Sequence, residues 1–240
     1  LSYLLVSGGY LCLQGAPIVW VGVHRLHHQK SDIPGADPHS PLDGFKHALV
    51  DWMFNMSSVQ SDEELQAQVK DLLKDPVYRW LGSTHTPESP VKCLVLSIVF
   101  RLAILVCFGL GAVVANLAAT FIVFWSTQLV NAACHFKSIG AYRNFNTVDQ
   151  SLNVWWVGIL ALGEGWHNNH HALPTSARHG IRWWEVDVTW YATWLMEKLG
   201  IANTVIRPKH ILAAAAAIAK TSLETSEFPE KTAQPQLVSQ

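Results

Sequence analysis

Residues 91–131 read VKCLVLSIVFRLAILVCFGLGAVVANLAATFIVFWSTQLVN, and only Lys92 and Arg101 are charged in that stretch. A membrane-spanning helix needs about 20 apolar residues. The run therefore predicts two spans, near 91–109 and 112–131, with a tight turn around Gly109 and Gly111. Its length argues against one buried hairpin of a soluble protein. Arg101 is the misfit. A charge inside a span is costly, so Arg101 is expected to face protein or water, to snorkel, or to mark a different boundary.

The composition agrees with that stretch. Of 240 residues 50% are hydrophobic and 15% charged, against roughly 25% charged in an ordinary soluble domain. With 17 basic and 18 acidic residues the net charge is −1. This excludes a wholly disordered chain and gives no support to a nucleic-acid partner. The turn between the spans carries no Lys or Arg. The flanks do, at Arg25, Lys30, Lys46, Lys70, Lys74 and Arg79 before, and at Lys137, Arg143, Arg178 and Arg182 after. By the positive-inside rule both flanks belong on the cytoplasmic side, where they can meet. Cys12, Cys93, Cys107 and Cys134 form no CxxC and read as small apolar residues rather than a disulfide or zinc framework.

Working outward, residues 1–23 are apolar but broken by Gly8, Gly9, Gly15 and Pro17. They read as an interfacial helix or the end of an earlier hairpin, without the basic start of a signal peptide. Residues 61–75 open with Ser61 and Glu64, an N-cap pattern, and predict a polar surface helix. Residues 183–199 carry Trp183, Trp184, Trp190 and Trp194 and predict an amphipathic helix in the membrane interface. Residues 211–240 are expected to form a disordered tail, polar from Lys220 onward.

The histidines are not scattered. His24–His28 reads HRLHH and His167–His171 reads HNNHH. On a helix, positions i, i+3 and i+4 share one face. At the observed His frequency, one HxxHH arises by chance in about 0.03 of such chains, and two in fewer than about one in a thousand. His47, His85 and His210 stand apart and read as ordinary satisfied residues. Imidazole suits iron, copper, zinc or nickel. Six or more exceed what one four-coordinate zinc uses, so two metals are the economical answer. Asn131 and His135, four apart at the end of the second span, add a third ligand-bearing segment.

The two boxes, Asn131 with His135, and Gly163-Glu-Gly-Trp-His167 together resemble the membrane fatty acid desaturases, most nearly their Δ9 acyl-CoA or acyl-lipid branch. Asp37-Pro38-His39-Ser40 and Arg178-His179-Gly180 fit the same branch. The resemblance implies an all-α integral membrane protein whose histidine boxes form a cytoplasmic cap, with a desaturase domain over 1–210. It implies two iron ions held by His24, His27, His28, His135, His167, His170 and His171, with Asn131 acting through a water. O2 would be co-substrate, and a cis double bond would enter an acyl chain, Δ9 by branch. No side chain beyond the metal centre is expected to be catalytic, because amino-acid acids and bases cannot remove hydrogen from an unactivated methylene. Gln14 and Trp20 would line the acyl tunnel. Gln128 stands where relatives often carry Trp, which bears on chain-length or positional selectivity. Asp37, Asp149 and Glu164 are expected to orient metal-bound imidazoles. The acyl group would hang from CoA, a carrier protein or a membrane lipid. Electrons would come from a separate donor such as ferredoxin or cytochrome b5. A further box, HxxxxH, is expected upstream of Leu1, so the chain reads as a truncated fragment, inactive alone. The alternatives are a di-iron hydroxylase of alkyl or lipid chains and an inactive metal-binding membrane protein.

Overall fold

The computed structural model describes residues 1–55, 60–86 and 88–213. Two helices, α1 (Ser2–Leu11) and α2 (Pro17–Lys30), take the place of the single apolar segment expected at 1–23. They are divided by a corner in which Leu13 and Gly15 adopt φ of 65° and 80°. α2 opens on Pro17, whose lack of an N–H is harmless at the first helical position. Its buried residues, Ile18, Val19, Gly22, Val23, Leu26 and His27, recur at helical spacing.

A 3₁₀ turn (Pro41–Asp43) and a π turn (His47–Asp51) lead into α3 (Trp52–Asn55). α4 (Asp62–Gln68) starts with the expected capping box. Ser61 Oγ accepts from Glu64 N–H and the Glu64 carboxylate accepts from Ser61 N–H, both at 3.2 Å. The helix is shorter than 61–75, because the chain tightens into a 3₁₀ turn at Leu72–Lys74 before α5 (Pro76–Leu81). Leu65 of α4 packs on Gly22 of α2, where a Cβ would come within 2.9 Å of Leu65 Cγ. Ile18, Val19, Val23, Trp52, Leu65 and Val69 form the core beneath the first histidine box.

The hairpin is α6 (Glu88–Phe108) and α7 (Leu110–Cys134), separated only by Gly109 with φ of 80°. At 1.5 Å per residue these helices are about 31 and 37 Å long, against about 30 Å of bilayer hydrocarbon. Only 11% and 6% of their most apolar 18-residue windows are buried. A core helix of a soluble protein would be covered; here Val95, Val99, Leu102, Phe121 and Ile122 face outward. The two helices are long and apolar enough to cross a membrane. Arg101 faces protein: its guanidinium donates to Leu11 O at 3.2 Å, Ser97 O at 3.0 Å and Thr120 Oγ1 at 2.8 Å.

Beyond α7, β1 (Ala141–Tyr142) pairs antiparallel with β2 (Asn153–Val154). α8 (Trp155–Leu160), α9 (His167–Ala172) and α10 (Val188–Lys198) follow, and residues 208–213 are helical as well. Val130, Ala133 and Cys134 of α7 pack with Val154, Val157 and Ala161, tying this region to the α6–α7 hairpin. The helix expected at 183–199 begins only at Val188. Asp187 caps it by accepting from Trp190 N–H at 2.8 Å, and a turn at 183–184 leads through non-helical residues 185–187. Trp183, Trp184 and Trp194 are exposed, whereas Trp190 is buried beneath the guanidinium groups of Arg178 and Arg207. The expected disordered tail lies outside the described residues from 214 onward.

Candidate metal centre

α9 is only six residues long, too short to be stable by itself. Its two faces do different work. Asn168 and Asn169 look away from the histidines. Asn168 Oδ1 accepts from the amides of Asn144 and Phe145 at 2.9 and 2.8 Å. Asn169 Oδ1 accepts from the side chains of Asn144 and Asn153 at 2.8 and 2.9 Å, and its Nδ2 donates to Glu185 at 2.9 Å. Glu185 collects further hydrogen bonds from Tyr142, Asn144 and the amides of Ile181 and Arg182. Burial alone would raise its carboxyl, but these donors hold it below the ordinary range. Sequence reasoning missed this anchor. Just before α9, Gly165 crosses Gly158 so closely that a Cβ would lie 2.1 Å from Gly158 N.

The opposite face of α9 presents His167, His170 and His171 to α2 and to the end of α7. Two clusters result. In one, His171 Nε2 lies 3.3 Å from His27 Nε2, 3.2 Å from His135 Nε2 and 3.1 Å from His167 Nε2. In the other, the Nε2 atoms of His24, His28 and His170 lie 2.8–3.3 Å apart. All seven predicted imidazoles are thus brought together. Nitrogens bound at about 2.1 Å to one ion in tetrahedral or octahedral geometry are about 3.0–3.4 Å apart, so the spacing fits a metal in each cluster.

Protonation supports that fit. Burial, then the neighbouring imidazoles, lowers His24 to about 4 and drives His27, His167 and His170 well below the ordinary histidine range. The rings are therefore neutral at physiological pH, with one N–H each. His27 Nδ1 lies 2.9 Å from Asp37, His135 Nδ1 2.9 Å from Asp32 and His171 Nδ1 3.0 Å from Asp149. The N–H of each ring goes to its carboxylate. The Nε2 lone pairs then face one another with no hydrogen between them, an arrangement that a cation relieves. Asp32 and Asp149 are held below the usual carboxylate range: burial opposes this, and the hydrogen bonds from His135 and His171 outweigh it.

The remaining expected residues are placed unevenly. Asp37 and Asp149 touch the ring nitrogens of His27 and His171. Asp32 does the same for His135, a role its sequence context does not predict; it sits in the left-handed region, φ 61°, where Asp is tolerated. Glu164 reaches no box histidine. Its carboxylate is 3.5 Å from His179 Nδ1, and His179 packs on His170 with ring centroids 4.5 Å apart. Asn131 lies one turn before His135 and is half-buried. Trp20 stacks on His24 at 5.0 Å. Gln14 and Trp20 line both a cavity of about 300 Å³ and a neighbouring one of about 410 Å³. Gln128 lines neither. It accepts from Trp52 Nε1 at 3.3 Å and donates to Met53 Sδ at 3.0 Å, and both of those residues line the smaller cavity. His39, which the spacing of the boxes does not include, packs on His27 at 4.2 Å beside Asp37. His85 is held by Asp62 and His47 by Pro38 O, away from the boxes.

Known proteins agree with this site. A family model for fatty acid desaturases matches residues 4–202. An sn-1 stearoyl-lipid 9-desaturase of Anabaena variabilis is 41% identical over 206 residues, 85% of this chain and 71% of the relative. A chloroplastic palmitoyl-monogalactosyldiacylglycerol delta-7 desaturase of Arabidopsis thaliana is 40% identical over 209 residues, 87% of this chain and 53% of the relative. An acyl-CoA 5-desaturase of Anemone leveillei is 38% identical over 213 residues, 88% of this chain and 62% of the relative. The chain thus spans about half the length of the Arabidopsis relative. With two converging histidine clusters, two apolar helices of membrane-spanning length and a match over most of its residues, the chain belongs to the fatty acid desaturase family.

Proposed function

We propose that this chain forms the metal-bearing core of an O2-dependent acyl desaturase that places a cis double bond, at the Δ9 position, in a fatty acyl chain. The observation that carries the proposal is the convergence of seven imidazoles into two clusters, three of whose rings are oriented by carboxylates. His27, His135, His167 and His171 would hold one iron ion, and His24, His28 and His170 the other, with Asn131 reaching its ion through a water. Two bound iron ions would supply the activation of O2, and with it the oxidising power toward unactivated C–H bonds, that side chains lack. The protein's own work is positioning. Asp32, Asp37 and Asp149 fix the tautomers of His135, His27 and His171, so that each Nε2 lone pair faces inward. Trp20, stacked on His24, forms the wall between that ring and the apolar cavities, and Gln14 lies beside it. A chain seated there would be shielded from water next to the histidines. The electron donor, of the ferredoxin or cytochrome b5 kind, would dock on the side of the boxes, and the basic flanks of the hairpin support a cytoplasmic side for both.

The named relatives act on lipid-linked and CoA-linked chains, which supports an acyl substrate whose carrier the assay identifies. The complete protein is to be expressed in a desaturase-deficient host and its lipids analysed by mass spectrometry. New cis double bonds are expected. Hydroxylated chains without new double bonds would overturn the proposal. His170→Ala is expected to abolish turnover and lower the iron content; wild-type iron and turnover in that variant would remove His170 from the ligand set.

A further inference from the structure

The buried face of α6 changes its task along the helix. Ser89 and Cys93 line the cavity of about 300 Å³. Ser97 and Arg101 continue the same face at four-residue steps but touch the end of α1 instead. Ser97 Oγ donates to Leu11 O at 3.1 Å, and Arg101 Nη2 donates to the same oxygen at 3.2 Å and to Thr120 Oγ1 of α7 at 2.8 Å. Leu11 closes α1, so its carbonyl is one of those a helix leaves unpaired, and a cation there is favourable. A charge at membrane depth is costly and marks a task. The metal centre gives Arg101 none.

The corner after Leu11 supplies one. The chain runs straight into residues 12–16, where Leu13 holds an unfavourable positive φ of 65°. Leu13, Gln14 and Gly15 are a wall of the cavity, and both polar atoms of the Gln14 side chain are buried without a partner. Beyond the corner α2 begins, with Trp20 and His24 one turn apart. The Leu11 carbonyl is therefore the fixed end of a short strap whose other end is the first histidine box.

We infer that Arg101 is a positioning residue for the acyl chain. By gripping Leu11 against α6 and α7 it fixes the wall formed by Leu13, Gln14 and Gly15. That wall sets how deep the chain enters and which carbon pair lies beside the metal centre. The selectivity part rests on the proposed desaturase activity; the grip on the corner does not.

The test uses the complete protein in native membranes, as wild type, Arg101→Leu and Arg101→Lys. Three quantities are read: the rate at which N-ethylmaleimide alkylates Cys12, measured on its peptide by mass spectrometry; the double-bond positions of the products; and the iron content. In Arg101→Leu, alkylation is expected to quicken about three- to tenfold, the worth of one or two interhelical hydrogen bonds in a membrane. Double bonds should spread to neighbouring positions at unchanged iron content. Arg101→Lys, keeping charge and a donor, should fall between. Unchanged alkylation, quicker alkylation with a single unshifted double-bond position, or concurrent loss of iron each overturns the inference. If Arg101→Leu does not accumulate, Thr120→Val removes one partner of the guanidinium and is read the same way. If the wild type makes no double bond, the desaturase reading falls, while the Cys12 rates still decide whether Arg101 holds the corner.

Discussion

The two histidine clusters draw on the same boxes but are secured by different physics. In the four-histidine cluster three rings donate to carboxylates, and those carboxylates are themselves tied down. Asp37 accepts from the amides of Asp32 and His39 at 2.9 and 3.2 Å, Asp32 from that of Gln150 at 2.7 Å, and Asp149 from that of Ser151 at 3.0 Å. In the three-histidine cluster no carboxylate lies within hydrogen-bond reach of a ring among the described residues. His24 leans on Trp20, His170 packs on His179, and His170 Nδ1 is buried without a partner. In the first cluster three of the four rings have their tautomers set electrostatically, the Nδ1 of His167 being buried without a partner. The second has its rings held by packing, which orients planes but does not choose which nitrogen carries the proton. The same metal ion should therefore be held more weakly, and exchange faster, at the second cluster.

Asp149→Asn breaks that contrast most directly. The hydrogen bond to His171 would lose its charge, and one ion is expected to bind about 10–100-fold more weakly. Chelator competition with metal analysis should show one tight and one weak site collapsing to two weak ones; an unchanged affinity distribution would refute the electrostatic account. Asp32→Asn should act the same way through His135. Trp20→Leu sharpens the contrast from the other side. Losing the stack on His24 is expected to weaken only the three-histidine site, by about two- to tenfold, the worth of an aromatic pair. An equal effect on both sites would contradict the division. A further effect, on stability rather than metal affinity, concerns pH. His24 titrates near 4 in the fold and near 6.5 when unfolded. Between those values the unfolded chain binds more protons, so the metal-free protein should lose stability as pH falls from about 6.5 to 4. His24→Asn should flatten that part of the profile in thermal unfolding; an identical slope would show that His24 is solvated.

Local spacing makes the helical parts readable. The apolar run at 91–131 predicts a hairpin that the structure extends by three residues at each end, to Glu88 and Cys134. HxxHH predicts which residues converge, because three- and four-residue steps need only one helix. The parts that elude the sequence depend on long-range pairing. Asp32 reaches His135 across 103 positions, and nothing near Asp32 announces it. Glu185 and Asp187 lie in a segment whose tryptophans predict helix. Their carboxylates instead collect the amides of residues 179–182, which turns the chain until Asp187 can cap α10. The box motif places Glu164 at a ring nitrogen, yet it supports His179 one layer further out. Gln128, expected in the tunnel, instead props Trp52 and Met53 from behind.

The meeting of His27 with His171 spans 144 positions. At a synthesis rate of about 5–20 residues per second, His171 leaves the ribosome roughly 7–30 seconds after His27. During that interval the first box has no partner from α9, and the hairpin must already be threaded. Neither cluster can close before α9 has been made. On the proposed iron-bearing reading, metal loading follows the synthesis of α9, and a cell short of iron would accumulate the metal-free form rather than a stalled chain.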